Sequence, residues 1–162
     1  MEKLPSLNLI SDNFDPNIDN SQWNSIGDSE INSNFGGSGN SLFFTGGSYN
    51  DNSRSLTTKA IDVANGGDIS FELIFGTSSN GGENADAGED VSLEYSVDDG
   101  DNWQQIAIYD TEDYTSWTGI SESIPTNAQT DSTLLRWTQI AYSGASYDNW
   151  ALDNILIESL DN

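Results

Sequence analysis

Asp153 is a carboxylate set inside Trp150-Ala151-Leu152-Asp153-Asn154-Ile155-Leu156-Ile157, a segment whose apolar residues otherwise suit a strand against a core. Burying a carboxylate in such a strand is costly unless something pairs with it. Lys and Arg total 4 against 27 acidic residues, so a cation is a more available partner than an arginine. The oxygen-rich composition suits calcium, which takes carboxylate, amide and carbonyl oxygens. This predicts a calcium-stabilised β-sandwich with a binding or adhesion role. Catalysis is poorly provided for. The chain has no His and no Cys, which removes Ser-His-Asp and thiolate chemistry. No carboxylate pair is singled out among the 27 acids as a glycosidase pair would be. We therefore expect no enzyme.

The net charge of −23 makes nucleic acid an implausible partner, because phosphate recognition needs a basic face. An anionic membrane surface would repel the chain, and no apolar run approaches spanning length. The expected partners are a protein surface, a second copy in an assembly, or a neutral glycan. No basic-then-apolar leader is present, which predicts export by another route or a module of a larger secreted chain. The expected setting is extracellular or at the cell surface.

Hydrophobic content is only 35%, but 5 Trp, 6 Tyr and 6 Phe are spread through evenly spaced apolar segments, which disordered chains lack. Strand signals recur near Leu7–Phe14, Trp23–Ile31, Ser41–Phe44, Ser55–Asp62, Asp68–Phe75, Val91–Ser96, Trp103–Ile108, Trp117–Ile124, Thr133–Ile140 and Ala151–Glu158. Gly, Asn, Asp and Ser clusters separate them, and no window holds a helical period. The expectation is one all-β domain over residues 1–162, an antiparallel jelly-roll β-sandwich of about ten strands. Trp103, Trp137 and Trp150 read as core. Trp117 and Tyr109, Tyr114, Tyr142 and Tyr147 read as surface aromatics that could stack on a sugar. Arg54 and Arg136 read as partly buried against carboxylates.

Ser96-Val97-Asp98-Asp99-Gly100-Asp101-Asn102-Trp103 has the form S-x-D-x-G-x-x-W, which resembles an Asp-box. Such a segment makes a tight hairpin, with the Asp side chain on backbone N–H groups and the Gly at positive φ. It is read as structural.

Asn13-Phe14-Asp15, Trp23, Gly37-Ser38-Gly39-Asn40-Ser41, Arg54-Ser55-Leu56-Thr57-Thr58, Val91-Ser92-Leu93-Glu94-Tyr95-Ser96, Leu135-Arg136-Trp137 and Asp148-Asn149-Trp150-Ala151-Leu152-Asp153-Asn154 occur in that order. The succession resembles the subrepeat of reelin and its microbial relatives, over nearly the full length. The resemblance implies a calcium-binding jelly-roll module without enzymatic activity. It also implies an ion joining the first strand, a loop and the last strand. The matching groups are Asp12 or Asp15, the Tyr49–Ser53 loop with Asp51 and Asn52, and Asp153. The competing reading pairs Asp153 with Arg54 or Arg136 and leaves Asp15 as a cap on the Asp-Pro turn. The chain departs from the resemblance in two ways. Phe35 and the Glu83–Asp86 region stand where cysteines would be. Of the basic residues that would meet a receptor only Lys3 and Lys59 are present. The expected function is a calcium-stabilised extracellular module for adhesion or assembly, with a carbohydrate-binding module of the same fold as the alternative.

Overall fold

The computed structural model describes residues 5–49 and 51–161; Lys3 and Asn50 lie outside them. Eleven strands form two antiparallel sheets. They are β1 Ser6–Asp12, β2 Trp23–Ile26, β3 Ser29–Asn32, β4 Ser41–Phe44, β5 Ser55–Thr58, β6 Gly67–Phe75, β7 Val91–Ser96, β8 Gln104–Tyr109, β9 Thr118–Ser123, β10 Leu134–Gln139 and β11 Trp150–Leu160. One sheet runs β3-β4-β11-β6-β9 with β1 also paired to β11; the other runs β2-β5-β10-β7-β8. The jelly-roll sandwich expected from the sequence is the fold observed.

Alternation builds the core. Leu135 and Trp137 of β10 and Val91, Leu93 and Tyr95 of β7 face inward. They meet Ile69, Phe71, Leu73 and Phe75 of β6 from the opposite sheet. The Phe71 ring stands edge-on to Trp137 at 5.4 Å, joining the two sheets. In β11 the spacing from Leu152 to Ile155 is odd, so strict alternation would turn Ile155 outward. A bulge at Asp153–Asn154 inserts the extra residue, with Asn154 at φ 47, and Ile155 and Ile157 return to the core.

The expected strand Trp23–Ile31 is two strands in different sheets. The break is at Gly27, whose N–H bonds Ser55 O while Asp28 N–H bonds Ser53 O. A Cβ at Gly27 would overlap the Ser53 carbonyl oxygen, so only glycine lets the chain turn from one sheet to the other here. Composition alone does not reveal this crossing, because Trp23-Asn24-Ser25-Ile26 and Ser29-Glu30-Ile31-Asn32 are both strand-like. Three aromatic assignments also change. Tyr109 and Tyr142 are buried; Tyr109 donates to Glu122 at 3.0 Å. Trp103 lies on the outer face of the five-stranded sheet beneath Arg136, whose Cζ is 4.0 Å from the ring centroid.

The S-x-D-x-G-x-x-W hairpin joins β7 to β8 as expected. Asp98 Oδ1 accepts from Asn102 N–H at 2.9 Å and from Ser96 Oγ–H at 2.8 Å, with Gly100 at φ 90. The Asn102 side chain first, then its backbone N–H and Ser96, hold the Asp98 carboxyl below its ordinary range.

Gly27→Ala tests the crossing. Overpacking against backbone should cost about 2 kcal/mol. Urea unfolding would show a lower midpoint with an unchanged slope.

Candidate functional site

The predicted ligand residues separate into two places. Asp12, at the end of β1, is buried and committed to the protein. Its carboxylate accepts from Phe14 N–H, Asp19 N–H and Trp23 Nε1–H, each at 2.9 Å. Asp15 follows that turn and accepts from Asn40 N–H at 3.0 Å. Asp153 is 5% exposed and accepts from Asn154 N–H at 2.7 Å. Burial pushes its carboxyl up to about 6, and the charges of Glu72, Asp15 and Asp12 add to the rise. Glu72 is its cross-strand neighbour on β6 and accepts from Asn154 Nδ2. The structure thus brings Asp12, Asp15 and Asp153 together at the β11 bulge, where its neighbour changes from β4 to β1, and adds Glu72. A cavity of about 520 Å3 opens there, lined by Asp12, Asn13, Asp15, Asp19 and Asn154 among others.

Asp51 and Asn52 lie elsewhere. Asp51 accepts from Ser48 N–H, Ser53 N–H and the Tyr142 hydroxyl, and is held below its ordinary range first by Ser48 and then by Ser53 and Tyr142. It closes its own loop. Asn52, at φ 59, borders the outer face of the five-stranded sheet.

Neither arginine answers Asp153. Arg136 pairs with Glu94 at 2.6 Å, as expected of a strand arginine near a carboxylate. Arg54 is fully buried and donates to carbonyls instead: Gly46, Gly144, Tyr147 and Asp148, plus Gln139 Oε1. Its expected carboxylate partner is therefore replaced by backbone oxygens of two loops.

Asp153 is left as a buried carboxylate among other carboxylates. Ser41, one position beyond the Leu42–Leu152 pair that joins β4 to β11, has a buried hydroxyl without a hydrogen-bond partner. Like-charge crowding plus an unused hydroxyl suits a hard cation. Among the described residues no three His, Cys, Asp or Glu side chains converge as a metal-holding group. An ion here would therefore draw on Asp15, Asp153 and the Ser41 hydroxyl, with backbone and amide oxygens completing the set. The donor chemistry fits calcium, with Asp51 and Asn52 outside the set. Ser41 and Glu72 were missed in the sequence because only the β4–β11–β6 register places them beside Asp153.

The second feature is the outer face of the five-stranded sheet. Residues between the core positions of β10 and β7 must point outward. The register sets Arg136 between Thr57 and Glu94, and Thr138 between Ser55 and Ser92. Small hydroxyl side chains thus make a low floor beside one ion pair. Ser92 Oγ is buried there without a hydrogen-bond partner. A cavity of about 350 Å3 lies over this floor, bounded by Asn52, Glu94, Arg136, Thr138, Gln139 and Ile140. Ile108 and Ile140 are exposed at its margin. The signal was present in Val91-Ser92-Leu93-Glu94-Tyr95-Ser96 as the polar phase of an alternating strand, but the ion pair across strands needs the register.

Residues 28–158 match the family Reelin subrepeat B, which spans most of the chain. The chain belongs to that family. Solved structures share the fold of this reelin subrepeat at low identity. The CBM22-1 xylan-binding domain of Paenibacillus barcinonensis Xyn10C has a TM-score of 0.64 at 16% identity, covering 100% of this chain and 99% of that one. A cleaved adhesin domain of Lys-gingipain from Porphyromonas gingivalis W83 has a TM-score of 0.65 at 13% identity, covering 96% and 99%. A family 29 carbohydrate-binding module reaches 0.59 at 9% identity, covering 96% and 93%. The structural neighbours of this reelin subrepeat are thus carbohydrate-binding modules and adhesin domains.

Asp153 sets a pH dependence. Its folded-state pKa is raised, so its contribution to stability is full below the ordinary value of 3.8 and is lost as pH rises through about 6. In metal-free buffer, Asp153→Asn should remove this dependence and stabilise the protein at pH 7 by up to about 3 kcal/mol. Chemical unfolding of both proteins from pH 4 to 7 measures it.

Proposed function

We propose that this reelin-subrepeat chain is a non-catalytic module that binds a neutral glycan on the outer face of its five-stranded sheet. The observation that carries the reading is the cavity of about 350 Å3 over this face, in which the Arg136–Glu94 pair, Thr138 and Asn52 converge. A sugar chain offers alternating donors and acceptors, which hydroxyls and a charged pair can meet in small, directed contacts. A pocket with a few convergent polar groups and an apolar margin is the usual form of a ligand site. The fold shared with a xylan-binding domain supports the same reading. Neutrality of the ligand follows from the chain's net charge of −23, which opposes an anionic polysaccharide. Trp103 contributes as the base on which Arg136 rests, which keeps the guanidinium plane in place.

In this reading calcium is structural. It would offset the charge gathered at Asp15, Asp153 and Glu72 and fasten β11 to the turn after β1. An extracellular or cell-surface setting, where calcium is abundant, suits such a site. Adhesion would then follow from glycan capture on another surface.

Affinity electrophoresis or calorimetry with soluble xylan and other neutral polysaccharides tests the site. Arg136→Ala and Thr138→Val should each weaken binding at least tenfold while the melting temperature moves little. Uniform failure of the wild-type protein to bind the panel would sink the glycan reading.

Calcium is tested separately. Restoring it after EDTA should raise stability by a few kcal/mol at saturation. Magnesium should do less, and Asp153→Asn should abolish the rise. An equal response to both ions would remove calcium from the account.

A further inference from the structure

The longest loop among the described residues, residues 76–90 between β6 and β7, is tied to the 142–149 loop by the Gly76 N–H bond to Asn149 O and by side-chain carboxyl groups. Asp148 is 2% exposed. Its Oδ2 accepts from Ser143 N–H at 2.6 Å, while Ser143 Oγ–H donates to Glu89 Oε1 at 3.2 Å. One serine therefore holds both carboxyl groups, one on each side. Gln139 Nε2 draws the same two residues together through their backbones, bonding Glu89 O at 3.2 Å and Asp148 O at 3.0 Å. Glu83, from the same long loop, accepts from Asp148 N–H at 2.7 Å.

Arg54 is the positive charge nearest this group and attracts the Asp148 carboxylate, while its N–H groups bond carbonyl oxygens and Gln139 instead of either carboxyl group. The charged groups around the pair are Glu83, Asp86 and Asp90 on the long loop, and Arg54 with Asp28 and Asp51 on the side beyond it. The Tyr142 hydroxyl on that side is occupied by Asp51 and Ser53. Two carboxylates bridged by one serine, Asp148 buried and Glu89 half-buried, repel each other when both are ionised.

We propose that Glu89 and Asp148 share one proton, and that this carboxyl–carboxylate bond is a latch closing the 76–90 loop onto the 142–149 loop. Below neutrality one carboxyl keeps its proton and donates it to the other. As pH rises the proton leaves, two like charges face each other across Ser143, and the loop loosens. Burial, joined by the contact with Asp148, pushes Glu89 up to about 7, which places the change near neutral pH. The latch covers apolar surface. Gly82 sits against the Phe35 ring, and Phe35 packs on Phe43 at 5.1 Å in a small cluster with Ile74 and Trp117 outside the main core. An open loop would uncover Phe35, so a neutral or alkaline medium presents an aromatic surface that an acidic one hides. This device is separate from the carboxylates around Asp153 and meets the glycan face at Gln139, which borders that cavity.

The test is hydrogen–deuterium exchange in metal-free buffer at pH 6 and pH 8, corrected for intrinsic rates. In the wild-type protein, protection at Gly76, Asp86 and Asp148 should fall at least tenfold between the two. Glu89→Gln and Asp148→Asn should keep the protection at pH 8; asparagine suits the left-handed φ of 53 at position 148. Unchanged wild-type protection, or the same loss in Glu89→Gln, overturns the latch. A carbon-13 titration of the wild-type carboxyl groups needs no variant. It should show a step near neutrality at Glu89, and a Glu89 step in the ordinary carboxylate range would overturn the proposal.

Discussion

Strand β11 bonds to β4 over its first residues, to β1 over its last, and to β6 along most of its length. Its phase therefore decides the inner and outer faces of every strand in the six-stranded sheet. That phase is reset once, at Asp153–Asn154, and the reset has an electrostatic consequence. The bulge holds Ile155 and Ile157 in the core, and it leaves the Asp153 carboxylate on the outer face beside Glu72. The gathered carboxylates and the packing of the last strand are one event in the backbone.

The other sheet follows a simpler rule. Its central strands β10 and β7 alternate without interruption, so the polar phase falls on one continuous surface. Beyond Leu134 at the hairpin end, small hydroxyls and one opposite-charge pair occupy that phase. The pair is a cross-strand contact, and the short floor on either side gives the surface its relief. An acidic chain with so few arginines places one here, on a tryptophan, instead of beside the crowded carboxylates.

Much of this was legible in the sequence. The period of two in Val91–Ser96 and Leu134–Gln139 predicts both the core and the outward set. The apolar residues on either side of Asp153-Asn154 predict the closing strand, but not the bulge that resets it. The Ser96–Trp103 turn chemistry predicts its hairpin down to the Asp98 contacts. What was not legible depends on distant pairing. Gly27 reads as an ordinary strand glycine until Ser53 is known to lie against it. Asp51 and Asp153 read as equivalent oxygen donors, but Asp51 is consumed by Ser48, Ser53 and Tyr142 in its own loop. Arg54 reads as a partner for a carboxylate. Its actual partners are carbonyls, which no residue type announces.

Arg54 has a consequence for how this scaffold can vary. Its guanidinium is the common hub for the turn at Gly46 and the segment from Gly144 to Asp148, and its donors match the oxygen positions of both. Lysine has a single ammonium point and cannot span that fork. The two loops are accordingly a matched set: replacing either one by a segment from a relative would strand buried N–H groups on the arginine. Exchange of specificity at this end of the sandwich therefore requires both loops and their arginine to travel together, as one transplantable unit.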